Sequence, residues 1–410
     1  MSRSKLAPPS ANELSVLEGV LWQHGPSRDV LASHMSFSKT RANALVAGLI
    51  EQGWLDEVGP QASSGGRRAE TLQLHRGLGV LLGVDLGATS VEVAVMGPDL
   101  QVLARHGEAI DVREGPGTVF SLTRTLMRTL LTRLKLKPRD VMGIGIGVPG
   151  PVDFASGQLV EPPLMPLWDR YSIRDDLRAE YDAPVWVDND VNLMALGELW
   201  RLKRTLPNFL VIKIGTGIGC GVVCHGEVYR GANGSAGDVG HICVDPAGPR
   251  CRCGNLGCVE AMAAGPAIAR MGQDAAQSGE SQLLANALAE RGELTPEDVG
   301  NASRHGDAAA NAIVQRSGAL IGQMLASVVN FFNPSHVFIG GGVTGIGPLF
   351  LASLRQSVYQ RSLALSTRHL EIVLSPLGER SGVIGAGVLA LHETLKQTAS
   401  ASSRRDRVAA

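Results

Sequence analysis

The chain has no run of eighteen or more apolar residues, and its first ten residues carry two basic side chains with no apolar stretch behind them. Both absences argue against a membrane-spanning or secreted protein, so the cytosol is the expected compartment and no membrane partner is expected. Charge of one sign is missing as well. The net charge is −1 over 410 residues, which excludes a polybasic tail or membrane-surface binder and leaves nucleic-acid binding to a local basic face. Cysteine is absent outside Cys220–Cys258, where all six crowd together. In a reducing compartment such crowding suits metal binding better than disulfides. No short-period repeat is visible. Glycine, by contrast, is abundant. Its 50 residues gather between apolar runs, as tight loops between strands require. The length exceeds one ordinary core, so two or three domains are expected.

Residues 1–11 and 397–410 read as disordered termini, the first with Pro8-Pro9, the second with three arginines on a small-residue background. Residues 12–76 read as three short helices and a hairpin. Leu14, Leu17, Val20 and Leu21 line one face of the first helix, and Gly25-Pro26 ends it. Ser27 caps a second helix carrying Val30 and Leu31, and Met35-Ser36-Phe37 turns the chain. Ser38 caps a third helix over residues 39–52. Trp54-Leu55 and Thr71–Leu74 read as strands around a small basic loop, Gly65-Gly66-Arg67-Arg68. From Gly79 to residue 396 strands and helices alternate, the mark of an α/β domain. Turns at Asp85 and Gly215 each sit between apolar strands and hint at an internal duplication.

A DNA-reading helix needs a solvated outer face with cations for phosphate. Ser38, Lys39, Thr40, Arg41 and Asn43 supply one at the start of the third helix, and no acid lies between Asp29 and Glu51. Arg67 and Arg68 can enter the minor groove or follow the backbone. The alternative is a helical dimerisation domain with a solvated charged face. The helix order and the arginine-tipped hairpin favour DNA.

Three glycine loops suit close approach to phosphate. Asp85-Leu86-Gly87-Ala88-Thr89 follows a buried strand, Gly215-Thr216-Gly217 opens a second loop, and Gly340-Gly341-Gly342 follows a third strand. Ordinary hairpin turns use the same residues. Asp188-Asn189-Asp190 ends a strand before a helix. Asp190 there could take a sugar hydroxyl's proton during phosphoryl transfer, or be no more than a helix N-cap. His241, Cys251, Cys253 and Cys258 make a closed set of one imidazole and three thiolates, suited to structural zinc. Buried free cysteines are the alternative, Cys243 is a competing ligand, and Cys220 and Cys224 read as core.

Together these motifs resemble the ROK family of repressors, open reading frames and sugar kinases, over about residues 15–391. The most specific stretch is Gly231–His241 followed by Cys251–Glu260. The resemblance implies the two-lobed actin-like ATPase fold of hexokinases, an α/β fold, preceded here by an all-α winged-helix module. It implies sugar contacts from Gly147, Pro149, Gly150, Asn189, Asp190, Asp238, His241 and Glu260, with Asp190 as the kinases' catalytic base and a zinc loop over 241–258. It implies nucleotide contacts at Asp85, Gly87, Thr89, Gly215, Thr216, Gly217, Gly341 and Gly342.

Several positions depart from the kinase pattern. Ala88 replaces a loop glycine, Ser90-Val91-Glu92 lacks the usual cation, Leu164 stands where many kinases carry a sugar-binding Asn, and Asp238 replaces Glu. The expectation is therefore a repressor that binds duplex operator DNA and is released by a sugar or amino sugar, free, phosphorylated or oligomeric. It would act as a homodimer or homotetramer, sugar closing the lobes and respacing the DNA-binding heads. A kinase using ATP and magnesium is the competing expectation.

Overall fold

The computed structural model of the chain describes residues 6–35, 37–59 and 70–408. They form two compact units. One holds the chain up to Glu161, Leu167–Thr205 and everything from Gly382 onward; the other holds Pro162–Pro166 and Leu206–Ser381.

The first unit begins with α1 (Ala11–Trp22), α2 (Arg28–His34) and α3 (Lys39–Gln52). A capping box starts α1: the Glu13 amide donates to Ser10 Oγ, and the Ser10 amide donates to Glu13 Oε2 at 2.8 Å. This corrects the expectation of a structureless start as far as residues 6–11 are concerned. Pro9 is buried and the Trp54 indole donates to the Ala7 carbonyl at 3.1 Å. Val16, Leu17, Val20, Leu31, Val46 and Leu49 close a small core over β1 (Leu55–Val58) and β2 (Thr71–Leu74), which pair antiparallel with Leu55 opposite Leu74. The expected basic loop, Arg67 and Arg68 included, and Ser36 of the expected turn lie outside the described residues.

The α/β part follows with β3 (Val80–Leu86), β4 (Ser90–Met96), β5 (Val102–Ala109), α4 (Pro116–Arg133), β6 (Val141–Val148), the short pair β7 (Val152–Asp153) and β8 (Gln158–Leu159), α5 (Ile173–Arg178), β9 (Val185–Asn189) and α6 (Asp190–Arg201). The sheet order is β5-β4-β3-β6-β9. β3 and β6 are apolar almost throughout because neighbours cover both faces, as central parallel strands require. β5 is the exposed, charged edge, and its Arg105 pairs with Glu92 at 2.7 Å.

The second unit contains β10 (Phe209–Ile214), β11 (Ile218–Cys224), β12 (Glu227–Val228), α7 (Val259–Ala263), α8 (Gly265–Gln277), α9 (Gln282–Arg291), α10 (Pro296–Arg304), α11 (Ala308–Phe332), β13 (His336–Gly340), α12 (Pro348–Arg361), α13 (Ala364–Thr367) and β14 (Glu371–Leu374). Its sheet order, β12-β11-β10-β13-β14, repeats that of the first. In each sheet the first strand pairs antiparallel with the second and parallel with the fourth. The duplication hinted at by the two turns is therefore a repeated topology.

α11 is long and apolar enough to cross a membrane by length and composition, which the absence of an unbroken apolar run concealed. It is a core helix here, with Ile321, Leu325 and Val329 fully buried. The chain then returns to the first unit as α14 (Ser381–Val408). A disordered tail from residue 397 was expected, but the helix runs on to Val408. Thr398 Oγ1 and Ser400 Oγ bond the carbonyls four residues back, and Ala399 is buried.

Candidate functional site

In the first unit the residues expected at the site gather where β9 hands over to α6. Asn189 Oδ1 accepts the Val191 amide at 2.9 Å and the Asn192 amide at 3.4 Å. The N-cap is therefore Asn189, and the capping role considered for Asp190 is corrected: Asp190 is the first helical residue. The other side of the Asn189 amide donates to the Gly150 carbonyl at 2.9 Å, which joins the loop after β6 to the start of α6. Asp188, only 2% exposed, accepts the Asn189 amide at 2.8 Å and Asn192 Nδ2 at 2.9 Å. Asp190 is buried in the first turn of α6.

A Cβ placed on Gly147 would lie 3.3 Å from Asp190 Cα and 3.5 Å from Asp85 Oδ1, so Asp85, Gly147 and Asp190 are neighbours. The Asp85 carboxylate also faces the first turn of α14, where a Cβ on Gly382 would be 2.0 Å from Oδ2. Gly87 and Thr89 form the β3–β4 turn, with the Gly87 amide donating to the Ser90 carbonyl at 2.8 Å. Pro149 is half-buried beside Gly150.

In the second unit Glu260 is the hub. Its Oε2 accepts the Ile218 amide at 3.1 Å, and a Cβ on Gly217 or Gly240 would lie 2.7 or 3.3 Å from that oxygen. One carboxylate thus joins the Gly215-Thr216-Gly217 loop to the Asp238–His241 turn. Gly341 packs on the same loop's root, a Cβ there falling 2.4 Å from the Ile214 carbonyl, while Gly215 and Gly342 face open space.

His241, Cys251, Cys253 and Cys258 meet with all four ligand atoms within 4.8 Å of one another. The Cys253 and Cys258 sulfurs are 3.7 Å apart, and Cys251 Sγ is 3.5 Å from His241 Nδ1. A tetrahedron of about 2.3 Å zinc–sulfur bonds has edges of about 3.75 Å, so the donor set and its spacing fit zinc. Burial pushes the Cys251 thiol up, and Cys258 to about 12. A bound zinc ion supplies the positive charge that holds such sulfurs as thiolates. His241 presents Nδ1 to this cluster, and its Nε2 lies 3.8 Å from Asp238 Oδ1. Cys243, considered as a competing ligand, is exposed and outside the four. Cys220 is core, with its thiol pushed to about 12 by burial.

At the start of α3, Thr40 and Asn43 are exposed, and Ser38 Oγ accepts the Arg41 amide at 3.3 Å. Lys39 pairs with Asp29 at 2.9 Å and the Arg41 guanidinium lies 4.7 Å from the Phe37 ring centre. Sequence reasoning noted the acid-free stretch after Asp29 and missed that Asp29 itself reaches Lys39. It also missed Asp188 as the residue that orders the Asn189–Asn192 turn. The signal was the Asp-Asn-Asp run, in which only the last two residues were given roles.

Comparison with known proteins follows the same lines. The ROK family model matches residues 81–393. The xylose repressor of Caldicellulosiruptor bescii is 28% identical over 94% of this chain and 96% of its own length. A ROK family transcriptional regulator homologous to the Escherichia coli MLC protein superposes with TM-score 0.76 and 27% identity, over 95% of this chain and 96% of that one. A ROK family glucokinase from Streptomyces griseus, solved with glucose and AMPPNP, has TM-score 0.68 and 27% identity over 76% of this chain and 99% of that one. With the repeated sheet, the four-ligand cluster and the Asn189–Asp190 turn in the same chain, these matches place the protein in the ROK family.

Proposed function

We propose that the protein is a sugar-responsive DNA-binding transcription regulator, a repressor of carbohydrate-utilisation genes released by a sugar or sugar derivative. One observation carries this reading. The family model starts at residue 81, and the glucokinase accounts for 76% of the chain, whereas the regulator and the xylose repressor account for 95% and 94%. What sets the regulators apart is matched here by three helices and an antiparallel strand pair.

On this reading residues 12–76 are a winged helix-turn-helix, with Thr40, Arg41 and Asn43 reading DNA, Lys39 contacting phosphate, and Arg67 and Arg68 in the wing. Sugar recognition falls to Gly147, Pro149, Gly150, Asn189 and Asp190 in the first unit and to Asp238, His241 and Glu260 in the second. Zinc is structural: it holds the loop before α7 and thereby aims His241 and Glu260. The regulator works in the cytoplasm as a homodimer or homotetramer, since two-fold operators call for paired heads.

The test is binding of the full-length protein to duplexes selected from a randomised library, with and without D-xylose, D-glucose and N-acetyl-D-glucosamine. Binding weakened by one of these sugars, and reduced about 5–100-fold by Arg41→Ala, supports the reading. Equal affinity in every condition overturns it. The proximity of Asp190 to Asp85 and Gly147 keeps a second reading specific: a kinase using ATP and magnesium, with Asp190 accepting the sugar proton. ADP release with the same sugars, abolished by Asp190→Asn, would favour it.

A further inference from the structure

We propose that α6 and α14 are parallel struts that carry sugar occupancy from Asn189 and Asp190 to the DNA-binding helices, entirely within the first unit. The inference rests on the sugar-responsive reading above and names its route.

Both helices start at the candidate site. α6 begins at Asp190, and α14 begins where Gly382 meets the Asp85 carboxylate; a Cβ on Gly147 would lie 3.3 Å from the Asp190 Cα and 3.5 Å from Asp85 Oδ1. Both reach α1 about 15 Å further on, ten residues from Asp190 to Trp200 and from Gly382 to His392 at 1.5 Å each. They are packed backbone to backbone: a Cβ on Gly385 would lie 1.8 Å from the Leu193 carbonyl, so any larger residue would push the struts apart. α6 is buried from Asp190 to Leu199. A buried, close-packed pair moves as a unit or not at all.

α6 at its last turn and α14 near its middle both grip the end of α1. The Trp200 indole donates to the Leu21 carbonyl at 3.2 Å, and its ring lies against His24, tilted by 32° with centres 4.2 Å apart. The His24 ring also bonds the Trp200 carbonyl at 2.7 Å. Just past α6, the Arg204 guanidinium sits 3.8 Å from the Trp22 ring centre. From α14, His392 Nε2 meets Glu18 Oε1 at 3.1 Å and its ring packs edge-on to Trp22 at 5.4 Å. α1 in turn holds the other two helices. Gln52 at the end of α3 donates to Glu13 at 3.0 Å, and a Cβ on Gly19 would lie 2.5 Å from Leu31 in α2. A shift at Asp190 or Asp85 therefore has a continuous packed path to α3. Lobe closure is not required for the signal to reach it.

The test measures coupling separately from binding. Full-length wild type and the double variant Trp200→Phe/His392→Gln are compared for sugar affinity, sugar-free affinity for the selected duplex, and the factor by which sugar weakens duplex binding. The sugars are D-xylose, D-glucose and N-acetyl-D-glucosamine. His24→Asn, which suits the left-handed backbone at that position (φ 56), provides a second, milder break. The expected result is a wild-type release factor of about tenfold or more that falls below about threefold in the variants, with sugar affinity and sugar-free duplex affinity each within about twofold. A variant that keeps the wild-type release factor, even with both duplex affinities shifted together, overturns the strut proposal alone. Wild-type protein whose duplex affinity none of the sugars changes overturns the regulatory reading beneath it.

Discussion

Glu260 accepts the backbone amide of Ile218 at 3.1 Å, so a side chain two residues after the last cysteine of the His/Cys cluster fixes the glycine loop between β10 and β11. The cysteine loop, the Asp238–His241 turn and the Gly215–Gly217 loop are one mechanical assembly. Disturbing any of them reaches the others through this carboxylate.

Two glycine substitutions separate site geometry from stability in that assembly. Gly217→Ala puts a methyl 2.7 Å from Glu260 Oε2, the movable end of a side chain. It is expected to displace the carboxylate and lower sugar affinity about tenfold while changing stability by less than about 1 kcal/mol. Gly237→Ala puts a methyl 1.7 Å from the Cys220 carbonyl, at a backbone φ of 97 that disfavours any side chain. It is expected to destabilise by about 3 kcal/mol or more. Urea denaturation and sugar titration calorimetry, run on both variants, check the contrast.

Metal analysis of the purified protein is expected to give about one zinc per chain. Cys251→Ser and Cys258→Ser remove a member of the four-ligand set and should lose the ion and lower the melting temperature. Cys243→Ser, outside the set, should keep both. Retention of zinc by the Cys258→Ser protein would refute the assignment.

The α1–α14 contact should be visible in the acid limb of the stability curve. The hydrogen bond with His392 is the largest influence holding the Glu18 carboxyl below its ordinary 4.5, with burial opposing it and Lys396 and Arg204 adding to it. A depressed carboxyl stabilises the fold above the unfolded value and loses that contribution as pH falls through the folded one. Glu18→Gln is therefore expected to lower stability by about 1 kcal/mol at pH 7 and to flatten the decline below about pH 4.5. Urea midpoints from pH 3 to pH 7 measure it. Parallel curves for the two proteins would show that the ionisation of Glu18 contributes nothing, and coincident curves that the contact as a whole does not.

Much of the fold was legible because it is written in local signals. Ser38 and Gly53 bracket α3 as cap and terminator, and the apolar strands β3 and β6 announce a two-sided core. β5 was missed because an exposed edge strand has no apolar alternation to read. The tail was misread because α14 ends in serine, threonine and arginine, poor local evidence for a helix that tertiary packing begins far upstream. At the site, the cysteine spacing identified the four-ligand set, but Asp188 and the His241–Asp238 pairing needed coordinates.

By itself the sequence determined what its short-range patterns encode: the serine caps of α2 and α3, the apolar strands, the crowded His/Cys set and the acids beside the Asn189 turn. Those depend on residues close together in the chain, or on chemistry so specific that few partners serve. Only the tertiary structure decided that Asn189 rather than Asp190 caps α6, that Glu260 holds the Ile218 loop, and that Trp200 and His392 meet at the end of α1. Such contacts join residues up to hundreds of positions apart, and their geometry is set by how whole helices and sheets pack, which no local pattern records.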